Sequence, residues 1–569
     1  MLHFISSTDG QKKIFPFFIA ILILLTLLPF CGLGIDLEDA GLHLFFSHNA
    51  YTMDGYTWIS CPLTNWLMGL WMSLAPIPRM MWWGYLAGAF VYSIFSFFCV
   101  KIYFEFFDLK GKFEYLICFF ALLAFQPDFG RSLLHYYSLP VMIATIFFYF
   151  WIKAEKSSVA KYLPLGMIGM LVFFARMTFI TVIFLPVFYF LILWCLEKHD
   201  RKETIRKMLL FLSGIVLGSI VMFPLYWAWM RKINLYSQGS EVSAANLSYR
   251  ILSFLWAFFR LAIDAIPRSI GYLILISVID SLCIKWKAVR RFSLLTICLA
   301  VGAVGLVLCY YYRANKCFSY YGGGLTSFFF EFIIPFAICY CAWILYRYHN
   351  ISRDDDNVHR LLLIASMFFA ASFLIPFGSN IYSLKIGYLL PLYLLIAGGC
   401  LYRFPRENIG FSVWGTIIVF AIGAQLSYGY RNPIPFRCDT ESTVPELRFM
   451  KTSKRRQQII DRTIREIKNN TVNEKELLLF SFAHFTPLYI SGLQNWVDTT
   501  TVGNATLISK IRNKMKTVPL PRFALIEGGS EMEELFQKEI SDKYVCVYRS
   551  EDLPVGNSPP IKYSLWEKK

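Results

Sequence analysis

Charged residues are scarce in this 569-residue chain: Asp, Glu, Lys and Arg make up only 16% of it, whereas soluble domains average about 25%. Hydrophobic residues make up 56%. This composition excludes a soluble enzyme, and it excludes a disordered chain because disorder requires low hydrophobicity. The apolar residues recur in long stretches, so we predict a membrane protein with many helical spans.

Several sequence signals of nucleotide and metal chemistry are also absent. The chain has no Walker A lysine motif, no GxGxxG after a predicted strand and no HExxH. Its 14 cysteines lack CxxC or Cys/His metal spacing. The formal net charge of +17 would suggest nucleic acid in a soluble chain. In a membrane protein it is typical of basic cytoplasmic loops, so we expect no nucleic-acid partner.

The apolar stretches predict the membrane topology, because a helical span needs about 20 mostly apolar residues. Thirteen stretches qualify as candidates: 14–33, 80–100, 113–127, 137–152, 162–175, 177–196, 208–229, 269–284, 292–312, 326–346, 360–377, 385–402 and 411–429. With a cytoplasmic N-terminus, the inner loops carry roughly twice as many Lys and Arg residues as the outer loops, which supports this orientation. Two further apolar stretches, 62–76 and 249–266, are predicted as interfacial or re-entrant helices on the outer side.

An odd number of spans places the C-terminal tail outside the cytoplasm. We therefore predict a transmembrane domain at 1–430 and an extracytoplasmic α/β domain at 431–569. In the tail, strand-like runs at Leu477–Phe482 and Phe523–Ile526 alternate with helical patterns at 446–469, 504–516 and 530–540. The connection RNPIPFRCD carries two prolines and is typical of a domain boundary.

The first outer loop carries three acids, Asp36, Glu38 and Asp39, directly after the first span. Apolar residues follow at helical spacing, which predicts a short amphipathic helix along the membrane interface. Asp39 and His43 lie one turn apart and would share a face of that helix. Acids at a membrane boundary carry a desolvation cost unless something uses them. The alternative is structural: Asp36 would cap the helix, and the other acids would interact with its positive end.

The remaining outer loops carry side chains that suit a phosphate or a sugar. Asp128, Arg131 and His135 fall together in QPDFGRSLLHYYSLP, and Arg313 and Lys385 lie in later outer loops. The guanidinium of Arg is well matched to phosphate because it donates two hydrogen bonds in one plane. The alternative for the first group is an Asp128–Arg131 ion pair within an aromatic belt.

This arrangement resembles the GT-C superfamily of membrane glycosyltransferases, which includes protein O-mannosyltransferases and the bacterial transferases that add aminoarabinose to lipid A. The resemblance covers the architecture of the whole chain: a first span, an acidic pair, an amphipathic helix, a re-entrant segment and an outer C-terminal domain. Its local match is Glu38 and Asp39 in GIDLEDAG, in the reverse of the commoner Asp-Glu order. Asp128 in QPDFGR matches the second-loop acid of many members. The WWDYG-type motif of oligosaccharyltransferases is absent.

The resemblance implies inverting transfer of a sugar from a polyprenyl-phosphate donor to a glycan, lipid or protein acceptor. The reaction would take place on the extracytoplasmic face of what is expected to be a bacterial inner membrane, with the C-terminal domain in the periplasm. Metal is not required, although paired acids could bind a divalent cation. The implied catalytic residues are Asp39, Glu38 and Asp36, with the choice of base between Glu38 and Asp39 open. The implied substrate-binding residues are Asp128, Arg131, His135, Arg313, Lys385 and His43.

The main alternative is a polytopic transporter, or a flippase or polymerase of lipid-linked glycans. A transporter would be expected to have broken helices and buried charges at the middle of the membrane. Here the polar clusters fall at the outer ends of the predicted spans, which favours an enzyme acting at the membrane surface.

Overall fold

We describe the protein from a computed structural model of the chain. The residues described are 8–35, 39–49, 61–107, 113–124, 138–176, 179–196, 201–233, 334–351, 356–372, 387–403, 408–427, 438–481, 485–497, 504–555 and 558–569. Within them the protein is mostly helical, with a small sheet region near the C-terminus.

Long apolar runs form the helices of the N-terminal part, because such runs contain few residues that interrupt a helix. They are α1 Thr8–Leu27, α2 Asp39–Asn49, α3 Pro62–Ser73, α4 Met81–Phe106, α5 Phe113–Ala124, α6 Ser138–Lys156, α7 Tyr162–Ala175, α8 Ile180–Leu196, α9 Arg201–Ile233, α10 Ile334–Ile351, α11 Asp356–Ser372, α12 Leu390–Arg403 and α13 Asn408–Ser427. The predicted re-entrant stretch at 62–76 is the short helix α3.

Three of these helical segments are long and apolar enough to cross a membrane: Met81–Phe106, Ser138–Lys156 and Arg201–Pro224. Several other apolar helices among the described residues are shorter than such a span. The count of thirteen spans is therefore not confirmed. The candidate spans at 269–284 and 292–312, and the stretch at 249–266, lie outside the described residues.

Several helices expose large apolar side chains on their outward faces, which is consistent with contact with lipid. On α9, Val216, Ile220 and Val221 are each about 60% exposed. The opposite face of α9 packs against α7 through glycines. A Cβ atom added to Gly166 or Gly214 would overlap backbone atoms of the facing helix. Small residues at such contacts are typical of helix packing in membranes.

The C-terminal part is an α/β unit, as the alternation of strand and helix patterns predicted. Its helices are α14 Lys454–Asn470, α15 Thr486–Ser491, α16 Asn504–Met515 and α17 Glu531–Glu539. Its strands are β1 Thr440–Glu441, β2 Lys451–Thr452, β3 Glu476–Phe480, β4 Gln494–Asn495, β5 Phe523–Gly528, β6 Tyr544–Arg549, β7 Leu553–Val555 and β8 Ser558–Lys568. The main sheet has the order β4-β3-β5-β8-β6, with β7 paired to β8. Strand β3 runs parallel to β4 and β5, whereas β8 runs antiparallel to β5 and β6.

The two faces of this sheet bury different cores, because successive strand residues point to opposite faces. Leu478, Phe480 and Ile526 join a core with Phe536 of α17. Leu477 and Leu479 on the other face belong to a hydrophobic cluster that continues into the N-terminal helices. The C-terminal unit is therefore packed onto the helical part through one face of its sheet.

Two details of the predicted tail differ in the structure. The helix predicted over 446–469 begins only at Lys454, because the segment before it forms a 3₁₀ turn at Pro445–Leu447 and the strand β2. The long strand β8 and the short helix α15 were not predicted. Two prolines at the start of β8 obscured its strand pattern, although proline is tolerated at the first residues of a strand.

Candidate functional site

The C-terminal unit is hydrogen-bonded to the chain where it leaves α1. The backbone N–H of Gly34 donates to the Lys451 carbonyl at 2.6 Å, and the Lys451 N–H donates to the Gly32 carbonyl at 2.6 Å. The buried Arg456 of α14 donates from Nη2 to the Ile35 carbonyl at 3.2 Å. These bonds hold the C-terminal unit at the residues that immediately precede the predicted acidic cluster.

Helix α2 confirms the predicted helix in the first outer loop and begins at Asp39. Asp39 and His43 are four residues apart on it, and His43 is buried. The structure describes the backbone of Asp39 but not its side chain. Asp36 and Glu38 lie outside the described residues. Of the three predicted catalytic residues, Asp39 is the one that the described structure assigns to a helix.

Most of this helix is enclosed by other parts of the protein, and His48 is its exposed polar residue. Phe45 and Phe46 are buried, and so are the polar residues Ser47 and Asn49 on other sides of the helix. Helix α3 packs against α2 from the transmembrane part, and α15 packs against it from the C-terminal unit. Local periodicity predicted the helix, but it carries no information about this cover, part of which is supplied from more than 400 residues away.

The contact between α2 and α15 is tight. A Cβ atom on Gly41 would overlap the backbone N and Cα atoms of Thr486 and its hydroxyl oxygen. The rings of Phe45 and Phe485 lie 5.5 Å apart between centroids. Glycine at position 41 therefore lets two backbones approach at a distance that other residues would prevent.

A pocket of about 230 Å³ lies at this junction, and we call it the interdomain pocket. Helix α2, the turn before α4 and the segment at the end of α15 form its walls. Its lining residues are Phe45, His48, Asn49, Arg79, Tyr489, Leu493 and Gln494.

Arg79 is the cation of the interdomain pocket. Its backbone has a φ of 62°, in the left-handed region, and its Nη2 donates to the Gly492 carbonyl at 3.4 Å. Gly492 ends α15 with a φ of 81°, and a Cβ atom there would lie 2.5 Å from Nη1 of Arg79. Within the described residues, no carboxylate forms an ion pair with Arg79 and none lines the pocket.

Tyr489 and His48 meet edge to face in the same pocket, with ring centroids 6.2 Å apart. Tyr489 is 1% exposed, and its hydroxyl has no hydrogen-bond partner among the described residues. Burial raises the pKa of Tyr489, and the charge of Arg79 opposes this shift. Desolvation, and secondly the charge of Arg79, lower the pKa of His48 below 6.5. Both side chains are therefore neutral at pH 7, and Arg79 gives the pocket a net positive charge.

The other predicted site residues cannot be placed relative to this junction. Asp128, Arg131, His135, Arg313 and Lys385 all lie outside the described residues. Among the residues that are described, no three His, Cys, Asp or Glu side chains converge in a way that could hold a metal ion. The possible divalent-cation site thus stays a prediction about Asp36, Glu38 and Asp39.

Sequence reasoning missed the polar residues of the interdomain pocket, namely His48, Asn49, Arg79 and Tyr489. Arg79 was recognisable only as a cation of an outer loop. A weak signal was present in FTPLYISG, an apolar, proline-led segment within a polar tail. Such a segment is typical of a short helix that is buried against another surface.

Comparison with known proteins does not assign a family: no protein-family model matches the chain, and no curated protein matches it in sequence.

We expect Gly41→Ala to loosen the junction. Alanine is the better helix former, so any destabilisation must come from its overlap with Thr486, and overpacking of this kind typically costs about 1–3 kcal/mol. Thermal unfolding of the purified variant should show a lower midpoint, and hydrogen exchange should be faster in 486–491. Gly169→Ala is the matched control, because its Cβ would meet side-chain atoms and no backbone, the nearest being a ring carbon of Phe147 at 3.3 Å and Cγ1 of Ile183 at 3.6 Å. Unchanged exchange at 486–491 in Gly41→Ala would contradict the close contact.

We also expect the junction to weaken in mild acid through His48. Because the pKa of His48 is lower in the folded protein than its ordinary 6.5, the unfolded chain binds the proton more readily. Stability from this residue is therefore complete above pH 6.5 and is lost as the pH falls below it. Thermal unfolding midpoints measured between pH 7.5 and pH 5 should fall less steeply for His48→Gln than for the native chain. Identical pH profiles would exclude His48 as a contributor.

Proposed function

We propose that the protein is a GT-C-type membrane glycosyltransferase that moves a sugar from a polyprenyl-phosphate donor to a glycan, lipid or protein acceptor. The observation that carries this proposal is the enclosure of α2. This helix begins at Asp39, directly after the acidic segment that follows α1, and lies between the N-terminal helices and the C-terminal unit. A carboxylate at such a junction can meet a lipid-borne donor from one side and a polar acceptor from the other.

The proposed transfer reaction requires a general base for the acceptor and a cation near the departing phosphate. The carboxylate of Asp39 takes the proton of the acceptor hydroxyl as its oxygen attacks the anomeric carbon. The bond from that carbon to the phosphate oxygen breaks, and a single displacement inverts the configuration. The departing lipid phosphate keeps its negative charge. Arg131, Arg313 and Lys385 are the expected stabilising cations, since all three fall in predicted outer loops.

The buried environment of α2 favours such a reaction over simple helix stabilisation. His43 is 7% exposed and lies one turn from Asp39, and Ser47 and Asn49 of the same helix are also buried. Electrostatic interactions in a water-poor site are stronger than in solution. Negative charge is favoured at the N-terminal end of a helix, and Asp39 is the first residue of this one.

The contact of the C-terminal unit with the end of α1 supports the proposed topology. Since Gly32 and Gly34 are hydrogen-bonded to Lys451, the first outer loop and the C-terminal unit occupy the same side of the membrane. The number of crossings between them is then even, and the total including α1 is odd, as in the thirteen-span prediction. We propose that this side is extracytoplasmic, in keeping with the basic bias of the opposite loops, and that the membrane is a bacterial inner membrane.

Asp39→Asn is the decisive variant for the transfer reaction. Asparagine is as good as aspartate at helix starts, so the fold should persist, while loss of a general base typically lowers a rate about 10²–10⁴-fold. The assay is sugar transfer from a polyprenyl-phosphate sugar by purified protein. Glu38→Gln should impair transfer if the two acids act together, and Asp36→Asn should impair it least if that residue only caps the helix.

The matched control is Asp439→Asn, which removes an exposed carboxylate from the C-terminal unit. It should transfer sugar at the native rate, and its thermal stability should equal that of Asp39→Asn. Native rates in Asp39→Asn would remove this residue from the role of base. Native rates in all three acid variants would instead favour a transporter or flippase.

The topology is tested by reporters that are active on only one side of the membrane. We expect alkaline phosphatase fused after Lys569 to be active in bacterial cells and a green fluorescent protein fused there to be dark, because the C-terminal unit is expected in the periplasm. The same pair fused after Lys161, in a predicted cytoplasmic loop, should give the opposite result. A fluorescent C-terminal fusion would overturn the proposed orientation.

A further inference from the structure

We propose that the interdomain pocket is an anion site that takes a phosphoryl group, with Arg79 supplying the charge and the Tyr489 hydroxyl supplying a hydrogen bond. This pocket is lined by His48 and Asn49 at the C-terminal end of α2, whereas Asp39 is the first residue of that helix. The inference does not depend on sugar transfer, because it follows from the composition of the pocket alone.

The first argument is charge. Arg79 is half-buried beside Phe45 and Leu493, and no carboxylate from the described part of the chain lines the pocket with it. A cation that is partly removed from water is costly unless an anion or several acceptors face it. The one acceptor seen within the described residues is the Gly492 carbonyl at 3.4 Å, a long hydrogen bond. Donor groups of the guanidinium thus remain for an anion in the pocket.

The second argument is the Tyr489 hydroxyl. It is buried at 1% exposure, lines the pocket and has no hydrogen-bond partner in the described part of the chain. An unsatisfied buried hydroxyl carries a desolvation penalty that an oxygen of a ligand would remove. The structure therefore places at the pocket wall a donor for which the described residues supply no acceptor.

The third argument concerns shape and size. Arg79, Tyr489 and the adjacent α2 residues His48 and Asn49 come from three segments and line the space. Donors spread around a volume suit the three oxygens of a phosphoryl group better than the two coplanar oxygens of a carboxylate. The volume of about 230 Å³ is large enough for a phosphoryl group with a small substituent.

Occupancy should also strengthen the junction, because the pocket has one wall from α2 and another from the end of α15. A ligand that binds only when both walls are in place stabilises the assembled form. The phosphoryl group could come from free phosphate or from the headgroup of a membrane lipid, and the two sources are separable by experiment.

The test uses the purified full-length protein and inorganic phosphate as the probe, with binding followed by calorimetry and by thermal unfolding. We expect saturable binding that raises the unfolding midpoint. Arg79→Gln should weaken it at least about tenfold, the typical loss for a hydrogen bond to a charged group. Tyr489→Phe should weaken it about fivefold without lowering the stability of the ligand-free protein, because the hydroxyl has no hydrogen-bond partner among the described residues.

Two controls separate binding from folding. Arg462→Gln removes an exposed cation of α14 that is 67% exposed, and it should bind phosphate like the native chain. Tyr544→Phe removes a buried hydroxyl that donates to the Pro521 carbonyl at 2.7 Å, so it should lower stability without changing phosphate affinity. The site is overturned if phosphate does not bind saturably, or if Arg79→Gln and Tyr489→Phe bind it as tightly as the native chain.

The source of the phosphoryl group is settled by competition in nanodiscs. Phosphatidic acid in the disc should reduce phosphate binding if a lipid headgroup reaches the pocket, whereas diacylglycerol, which lacks the phosphate, should not. Competition that disappears in Arg79→Gln supports a lipid ligand in this pocket. Phosphate binding that is unaffected by phosphatidic acid supports a soluble anion in the same pocket.

Discussion

The attachment of the C-terminal unit to the end of α1 is the constraint on which the rest of the structure depends. Gly32 and Gly34 exchange backbone hydrogen bonds with Lys451, and α2 follows within a few residues. Because those bonds place β2 beside the exit of α1, α15 lies against Gly41 of α2. The burial of α2, the interdomain pocket and the position of Arg79 all follow from this one docking geometry.

The docking also explains why only one face of the sheet has a core that belongs to the C-terminal unit alone. This face buries Leu478 and Phe480 against α17, as in an ordinary α/β domain. The other face carries Leu477 and Leu479 into the same apolar cluster as the N-terminal helices. A unit that shares part of its core with those helices transmits strain at α15 to α2, since close-packed interiors do not deform gradually. Events at the C-terminal unit and at the first outer loop are therefore mechanically linked.

The sequence allowed prediction of features that depend on local pattern. Apolar runs predicted the N-terminal helices, helical spacing after Asp39 predicted α2, and alternation predicted β3 and β5. Prediction from the sequence failed where a feature depends on packing or pairing with a segment that is distant along the chain. The exposure of α2 depends on α15, and the strand β8 owes its place to pairing with β5 and β6. The proposed roles of Asp36, Glu38 and the outer-loop cations remain predictions, because those residues lie outside the described structure.

The interdomain pocket is the clearest example of a feature that the sequence could not predict. Arg79 and Gly492 are 413 residues apart in sequence yet share a hydrogen bond, so no spacing rule joins them. Each is explained only by the other: Gly492 leaves room for the guanidinium because it has no Cβ, and Arg79 adopts a left-handed φ that brings it to the end of α15. A left-handed φ is uncommon for a residue other than glycine and carries a strain cost, so the surrounding packing must hold Arg79 in this position. Since the charge that this geometry positions has no carboxylate partner among the described residues, the junction is better explained by an external anion than by stability alone.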